Sequence, residues 1–146
     1  MRHAIADEFA EIYAVFRHHK QFFPHIRTDA LKRRIAAGEC IYDRQVVITY
    51  QLYKRRVRIS RHADVYGEKG DCILHQIATL NLGGASSEVL RDFFKFTGAN
   101  TYLTVRSENA RAVAFYKKMG MEVVGSTRWG KSDIPGLIFC RRAHVP

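Results

Sequence analysis

Residues 109–125, with the sequence NARAVAFYKKMGMEVVG, constrain the fold more than any other stretch of this chain. Asn109 suits the start of a helix, because its side chain can accept hydrogen bonds from the unpaired N–H groups of a first turn. Apolar residues then recur at helical spacing, at Ala112, Val113, Phe115, Tyr116 and Met119. Gly120 can adopt the left-handed conformation that ends helices, and residues 121–124 are typical of a strand. The stretch therefore predicts a helix followed directly by a strand.

The same stretch resembles the C-terminal half of the GCN5-related N-acetyltransferase (GNAT) superfamily. The resemblance rests on Asn109, an alanine, the pair Phe115-Tyr116, and Gly120 before an apolar residue and a short strand; it covers roughly the last third of the chain. It implies that Asn109 contacts the pantetheine arm of acetyl-CoA and that Tyr116 gives a proton to the departing CoA thiolate. A phenol suits that task because its pKa, about 10, lies just above the value of about 8.5 for a thiol. A core position beside Phe115 is the alternative for Tyr116.

A small-residue turn follows the apolar run of residues 72–80 and precedes a helical pattern in residues 88–96. A turn of this kind binds anions, because its N–H groups and the helix N-terminus point at one place. The resemblance assigns the pyrophosphate of acetyl-CoA to it. Aligned on Val89-Leu90, the family motif falls on Asn81, Gly84 and Ser86, of which only Gly84 matches. We expect the cofactor to be bound by Leu80, Asn81, Leu82, Gly83, Gly84, Ala85, Ser86 and Ser87. The alternative is a tight turn whose glycines serve packing only.

Acetylation of an amine also needs a proton acceptor. His75 is the imidazole on the central strand, and the reference pKa of histidine, about 6.5, suits a proton acceptor. It alternates with Ile73 and Ile77, so a hydrogen-bonded core histidine stays open. Water and three loop carboxylates, Asp64, Glu68 and Asp71, are further candidates. The resemblance places the N–H that polarises the thioester carbonyl around Thr79 or Leu80.

The order of elements predicts a mixed α/β sheet flanked by helices, and the length predicts one domain over residues 1–146. The resemblance implies that this domain is GNAT-like, an α/β fold of the α+β type with a mostly antiparallel sheet. We expect a helix from residue 3 to about 19, and another that has Thr28 as its N-cap and ends at Gly38. A tight hairpin is predicted at residues 43–45, and a strand at residues 57–60 as an antiparallel neighbour of the strands before it. Residues 72–80 predict a central strand covered on both faces, and residues 137–140 a partner of the strand before them. The strand that usually precedes the first helix in GNAT proteins is expected to be missing.

The charge of the chain points to anionic partners. It carries 24 Lys and Arg against 14 Asp and Glu, a formal net charge of +10. The basic residues cluster most densely in residues 54–61. A nucleic acid, an acidic macromolecule and the phosphates of CoA all fit this field, whereas a polyamine would be repelled. A mere solubility role of the charge stays open.

The chain shows no signal of export, membrane insertion or metal binding. No run of about 18 apolar residues occurs, and acids interrupt the first helix. Cys40, Cys72 and Cys140 lie far apart in apolar runs, which favours buried free thiols and a reducing compartment. We interpret His18-His19 as cations at a helix C-terminus, and predict no metal site. A cytoplasmic protein is expected.

The resemblance thus implies an acetyl-CoA-dependent N-acetyltransferase that transfers the acyl group directly to an unidentified amine. The alternative is a GNAT-fold protein that binds or modifies nucleic acid with weak or no use of acetyl-CoA. Two roles stay open for Trp129 and the loop to Gly136: they shape the acceptor pocket, or they form a homodimer contact.

Overall fold

The computed structural model describes residues 1–81 and 83–143, which form two compact units. The first unit comprises Met1–Gln51 and His75–Phe96; the second comprises Leu52–Leu74 and the chain from Thr97 onward. Each unit therefore combines two separate segments of sequence. The single-domain organisation of residues 1–146 stays a prediction.

The first unit consists of helices packed on strands. Its elements are a 3₁₀ helix (Ala6–Glu8), α1 (Phe9–His18), α2 (Thr28–Ala36), β1 (Cys40–Asp43), β2 (Val46–Leu52), the end of β5 (Cys72–Thr79) and α3 (Ala85–Thr97). The strands lie in the order β1-β2-β5. Both predicted N-terminal helices are confirmed, with the first starting later than expected. Thr28 is the first residue of α2, and the N-cap is Arg27, which makes no side-chain cap hydrogen bond, so the expectation that Thr28 caps the helix is wrong. Gly38 follows the end of α2 with a φ of +72°.

The predicted hairpin between β1 and β2 is confirmed. The two strands pair in antiparallel fashion from Cys40↔Thr49 to Asp43↔Val46. Arg44 and Gln45 form the connection with φ values of +51° and +62°. Two consecutive positive φ values are the mark of a type I′ turn, whose twist matches that of a hairpin.

Burial of one face of each helix holds the first unit together. Ile12, Val15 and Phe16 of α1 and two residues of α2, Leu31 and Ile35, are buried at 6% exposure or less. They form a cluster with sheet residues that include Cys40, Tyr42, Val47 and Ala78. The segment before α1 joins the same sheet through a single bridge between His3 and Ile41.

The second unit also combines strands with a helix. Its elements are β3 (Val57–Arg58), β4 (Tyr66–Gly67), the start of β5, β6 (Thr101–Arg106), α4 (Ala110–Lys118), β7 (Glu122–Trp129) and β8 (Ile134–Arg141). Four of these strands lie in the order β5-β6-β8-β7. Strand β5 pairs with β6 in parallel at Cys72↔Thr101 and Ile73↔Tyr102, whereas β8 is antiparallel to both β6 and β7. The predicted fold class, a mixed and mostly antiparallel sheet flanked by helices, is confirmed.

The strand predicted at residues 57–60 pairs differently from the prediction. Only Val57–Arg58 is a strand, and it pairs with β4 in a separate two-stranded sheet. The expectation that it neighbours the earlier strands is therefore wrong. Alternation of apolar and basic residues identified an extended segment, but it carries no information about which strand is the partner.

The prediction that β5 is covered on both faces is also wrong. Cys72, Leu74 and Ala78 are buried, whereas Ile73 and Ile77 are half-buried and His75 is exposed. An apolar run predicts a buried strand, but it does not show whether other elements pack on one face of that strand or on both.

The remaining expectations on composition concern thiols and membranes. Cys40, Cys72 and Cys140 are free and buried, as predicted. Within residues 1–81 and 83–143, no helix is long and apolar enough to cross a bilayer.

Candidate active site

The turn between β5 and α3, residues 80–87, is the predicted cofactor site and is called the Gly84 turn below. Gly84 has a φ of +84°, and an added Cβ would meet nothing within 4 Å. The position needs glycine for its left-handed backbone, and not for lack of space. Helix α3 begins at the next residue, Ala85, so its first-turn N–H groups and the positive end of its dipole face the turn. Leu82, also predicted to bind the cofactor, lies outside the described residues.

Asn81 stabilises this turn through hydrogen bonds of its own. Its Oδ1 accepts the N–H of Gly83 at 2.7 Å, and its N–H donates to Oγ1 of Thr79 at 2.8 Å. Its Nδ2 also donates to the carbonyl oxygen of Arg44 at 3.4 Å. The N–H of Gly83 is therefore occupied in this structure, and can bind a phosphate only after the side chain of Asn81 moves.

The other members of the Gly84 turn differ in exposure. Leu80 is 39% exposed, and its N–H donates to the carbonyl of Gln45 at 3.4 Å. Ala85 is buried and anchors the start of α3. Ser86 and Ser87 are half-buried in the first helical turn, where the N–H of Ser87 donates to Gly84 at 3.2 Å.

Arg44 is a cation beside this turn that sequence reasoning missed. Its guanidinium lies 3.0 Å from Glu88 and from Asp92, one helical turn apart on α3, and 3.3 Å from Asp43. The three carboxylates offset its charge and tie the β1–β2 hairpin to the first turns of α3. The sequence placed Arg44 in a hairpin turn, but gave no sign that the turn packs against this helix.

His75 borders a cavity of about 220 Å³ in the first unit, called the α2 cavity below. The apolar part of its wall is Ile26, Ala30 and Leu31. The polar part is His25, Arg27, Arg34, His75 and Gln76. Because His75 is exposed, the alternative of a core histidine is wrong.

The environment of His75 keeps the imidazole neutral. Desolvation at the cavity wall, followed by the positive charge of Arg34, lowers its pKa from 6.5 to about 4. The ring can therefore accept a proton at neutral pH, although it is a weaker base than an unperturbed histidine.

The cations of the α2 cavity are held by partners outside its lining. Nη1 of Arg34 donates to the carbonyl of Tyr50 at 3.4 Å and lies 3.5 Å from Glu39. Arg27 is more exposed and pairs with Asp29 at 3.1 Å.

His19, at the C-terminal end of α1, supports the end of β5. Its Nε2 lies 2.7 Å from the carbonyl oxygen of Thr79. Since a carbonyl can only accept, Nε2 carries the proton. The contact fixes Thr79 directly before the Gly84 turn, and nothing in the spacing of His18 and His19 pointed to it.

Helix α4 carries the two other predicted site residues, both in the second unit. Asn109 caps the helix as expected, with Oδ1 accepting the N–H of Ala112 at 3.2 Å. Tyr116 is 8% exposed, and its ring lies 5.8 Å from that of Phe139 and 5.5 Å from that of Phe115. Burial raises the pKa of Tyr116 well above its usual 10.

The whole chain resembles solved acetyltransferase structures in fold. An Ard1 structure from Thermoplasma volcanium matches with a TM-score of 0.74 and 14% identity, over 99% of this chain and 97% of that one. An acetyltransferase of the GNAT family from Streptococcus agalactiae 2603 matches with a TM-score of 0.74 and 12% identity, over 99% and 95%. Arabidopsis thaliana NAA60 in complex with acetyl-CoA matches with a TM-score of 0.63 and 15% identity, over 91% and 94%. The chain has the GNAT fold.

At these identities the likeness extends to the fold alone. Searches with protein-family models and against curated protein sequences give no match. The fold implied by the resemblance of residues 109–125 is thereby confirmed, whereas the role of each residue on the GNAT framework stays a prediction.

The predicted site residues of this GNAT fold divide between the two units. His75 and the Gly84 turn belong to the first unit, whereas Asn109 and Tyr116 belong to the second. The three alternative bases also lie in the second unit. There Glu68 pairs with Arg56 at 2.9 Å, and Oδ2 of Asp71 accepts the N–H of Glu68 at 2.8 Å. Asp64 is exposed.

Proposed function

We propose that this protein is an acetyl-CoA-dependent N-acetyltransferase that transfers the acetyl group directly to an amine. The observation that carries the proposal is the strand–turn–helix formed by β5, Gly84 and α3 within a GNAT fold. A left-handed glycine directly before a helix N-terminus lets a pyrophosphate approach the backbone and the helix dipole. The likeness to a GNAT-fold structure in complex with acetyl-CoA supports this choice of co-substrate.

In the proposed reaction the amine nitrogen attacks the thioester carbonyl carbon. A C–N bond forms, the C–S bond breaks, and CoA leaves as a thiolate. The nitrogen loses a proton to His75 or to water, and Tyr116 supplies a proton to the thiolate. The imidazole of His75 is neutral at physiological pH, as a proton acceptor must be.

The raised pKa of Tyr116 changes the expected energetics of its step. Proton transfer from an unperturbed phenol to a thiolate is nearly balanced, whereas transfer from this buried phenol is uphill. A thiolate that leaves into the interior would experience the same desolvation. That desolvation raises the pKa of the nascent thiol and makes the proton transfer more favourable.

Titration calorimetry with acetyl-CoA tests the proposal. The wild type is expected to bind, and Gly84→Ala to bind at least about tenfold more weakly because the turn loses its left-handed residue. Gly98→Ala is the matched control, since Gly98 also has a positive φ (+56°) and open space around it, at the other end of α3. No binding by the wild type at millimolar acetyl-CoA contradicts the proposal; equal losses in the two variants contradict the role of the turn.

A second candidate function is supported by the basic segment of the second unit. The segment, residues 54–61, carries five exposed cations: Lys54, Arg55, Arg56, Arg58 and Arg61. The guanidinium of Arg56 lies 4.3 Å from the ring centre of Tyr66. An aromatic ring among cations suits nucleic acid as a partner. Binding to duplex and single-stranded oligonucleotides should then fall steeply with salt. Affinity that is indifferent to salt would remove this candidate.

A further inference from the structure

The α2 cavity distinguishes cationic from anionic groups by its charge. Its lining includes two arginines, Arg27 and Arg34, and two imidazoles, of which that of His75 is neutral at neutral pH because its pKa is lowered to about 4. No carboxylate is among the described residues that line it. The nearest acids that pair with these cations are Asp29 and Glu39, neither of which lines the cavity. The residues that line the cavity therefore favour negative charge, with each arginine already paired with one acid outside the lining.

Arg34 is pre-organised to bind an anion in this cavity. Its side chain is 28% exposed, so it is partly desolvated, and it is held by the carbonyl of Tyr50 and by Glu39. Both contacts use Nη1, one of its three guanidinium nitrogens. A guanidinium has five N–H donors in a planar fork, which matches a carboxylate. Nε and Nη2 are the guanidinium nitrogens that these two contacts leave for an anion entering the cavity.

The cavity also links this cation to the candidate base. His75 shares the cavity wall with Arg34, and the positive charge of Arg34 acts on the imidazole. An acceptor that places its carboxylate on Arg34 can therefore reach His75 within the same cavity. Apolar contacts from Ile26, Ala30 and Leu31 can cover the carbon chain between the two groups.

We propose that the α2 cavity selects acceptors whose amine carries a nearby carboxylate, with Arg34 as the main specificity-determining residue and Arg27 at the rim. As an account of the acceptor, the inference rests on the proposed acetyltransferase function. Amines that bear a second positive charge, such as lysine side chains beside other lysines, are selected against.

Calorimetry with two C-terminally amidated tetrapeptides tests the inference without depending on catalysis. The peptides are Glu-Ala-Ala-Ala and Gln-Ala-Ala-Ala, which differ in one carboxylate, and free glutamate is a third probe. The wild type is expected to bind the glutamate peptide at least about tenfold more tightly than the glutamine peptide. Tighter binding of free glutamate than of the peptide identifies a small-molecule acceptor, and the reverse identifies a peptide amine; both support the cavity as the anion site.

Arg34→Gln is expected to remove the preference for the glutamate peptide. Arg33→Gln is the matched control, since Arg33 is the preceding residue of α2, is exposed and does not line the cavity. Arg27→Gln changes an exposed position and should reduce the preference less. It provides a second test of the cavity in case the Arg34 variant does not fold. Equal binding of the two peptides by the wild type, or an Arg34→Gln variant that keeps the full preference, overturns the inference.

The two proposals fail separately. Binding of acetyl-CoA without a preference for the glutamate peptide removes the acceptor inference and leaves the proposed function. An Arg34-dependent preference without acetyl-CoA binding removes the proposed function and leaves the α2 cavity as a carboxylate site.

Discussion

At the scale of single residues, desolvation changes the pKa expected of both proposed proton-transfer groups, at a cavity wall for His75 and in the core for Tyr116. From the sequence, His75 and Tyr116 are expected to have ordinary pKa values, because a sequence does not show how far each side chain is desolvated in the folded protein. In the folded chain desolvation lowers the pKa of His75 and raises that of Tyr116, in each case disfavouring the charged form. Both groups are thus neutral at physiological pH, the starting state that a base and an acid require.

Tyr116→Phe is expected to lower kcat by about 100-fold while leaving the affinity for acetyl-CoA within about twofold, the signature of a group that acts as an acid. The phenylalanine ring preserves the contact with Phe139. Tyr102→Phe, at a second buried tyrosine of the same unit, is the control for loss of a buried hydroxyl. Steady-state kinetics and calorimetry check the two quantities. An unchanged kcat, or equal loss in kcat and affinity, counts against the acid role.

The imidazole of His75 is expected to titrate near pH 4 in the folded protein, measured by NMR. Since this pKa lies below the unfolded value, the neutral ring contributes stability that is fully present above about pH 6.5 and is lost as the pH falls toward 4. Arg34→Gln should raise the pKa, because it removes a neighbouring positive charge. Arg33→Gln should leave it unchanged; a wild-type midpoint near 6.5 contradicts the account.

At the scale of elements, α4 shows how a local sequence signal and a proposed function can share one residue. Asn109 caps the helix through Ala112, and the same side chain is proposed to contact the pantetheine arm. The helix boundaries followed from Asn109 and Gly120 alone, because capping depends on near neighbours in sequence.

Substitutions at Asn109 should separate these two roles. Asn109→Ala is expected to lower the free energy of unfolding by about 1 kcal/mol, whereas Asn109→Asp should retain the cap. If Asn109 also contacts the cofactor, both variants bind acetyl-CoA more weakly than the wild type. Denaturant unfolding and calorimetry provide the measurements. Full affinity in the aspartate variant would limit Asn109 to its structural role.

At the scale of the whole molecule, the buried cysteines report on the integrity of both units. Cys40 belongs to the first unit, and Cys72 and Cys140 to the second, with exposures of 1%, 0% and 2%. Burial raises the pKa of the Cys40 thiol to about 12, which leaves almost no reactive thiolate.

A thiol-specific reagent should therefore react with none of the three cysteines of the native protein within minutes, and with all three in denaturant. Absorbance of the released reagent counts the thiols, and the denatured sample is the internal control. Rapid release of one equivalent from the native protein would show that one cysteine is accessible, and that the strand carrying it opens locally.

Sequence alone determined the features that depend on neighbours along the chain. The Asn109 cap of α4, the tight hairpin within residues 43–45 and the buried thiols all followed from residue type and spacing, and the pattern of residues 109–125 indicated the GNAT fold. Tertiary structure decided the rest, because partners distant in sequence set it. It paired β3 with β4, left one face of β5 partly open at His75, and brought Arg44 to α3 and His19 to Thr79. The α2 cavity likewise exists only because residues 25–34 and residues 75–76 of β5 come together to line it. The periodicity of neither segment predicts this contact.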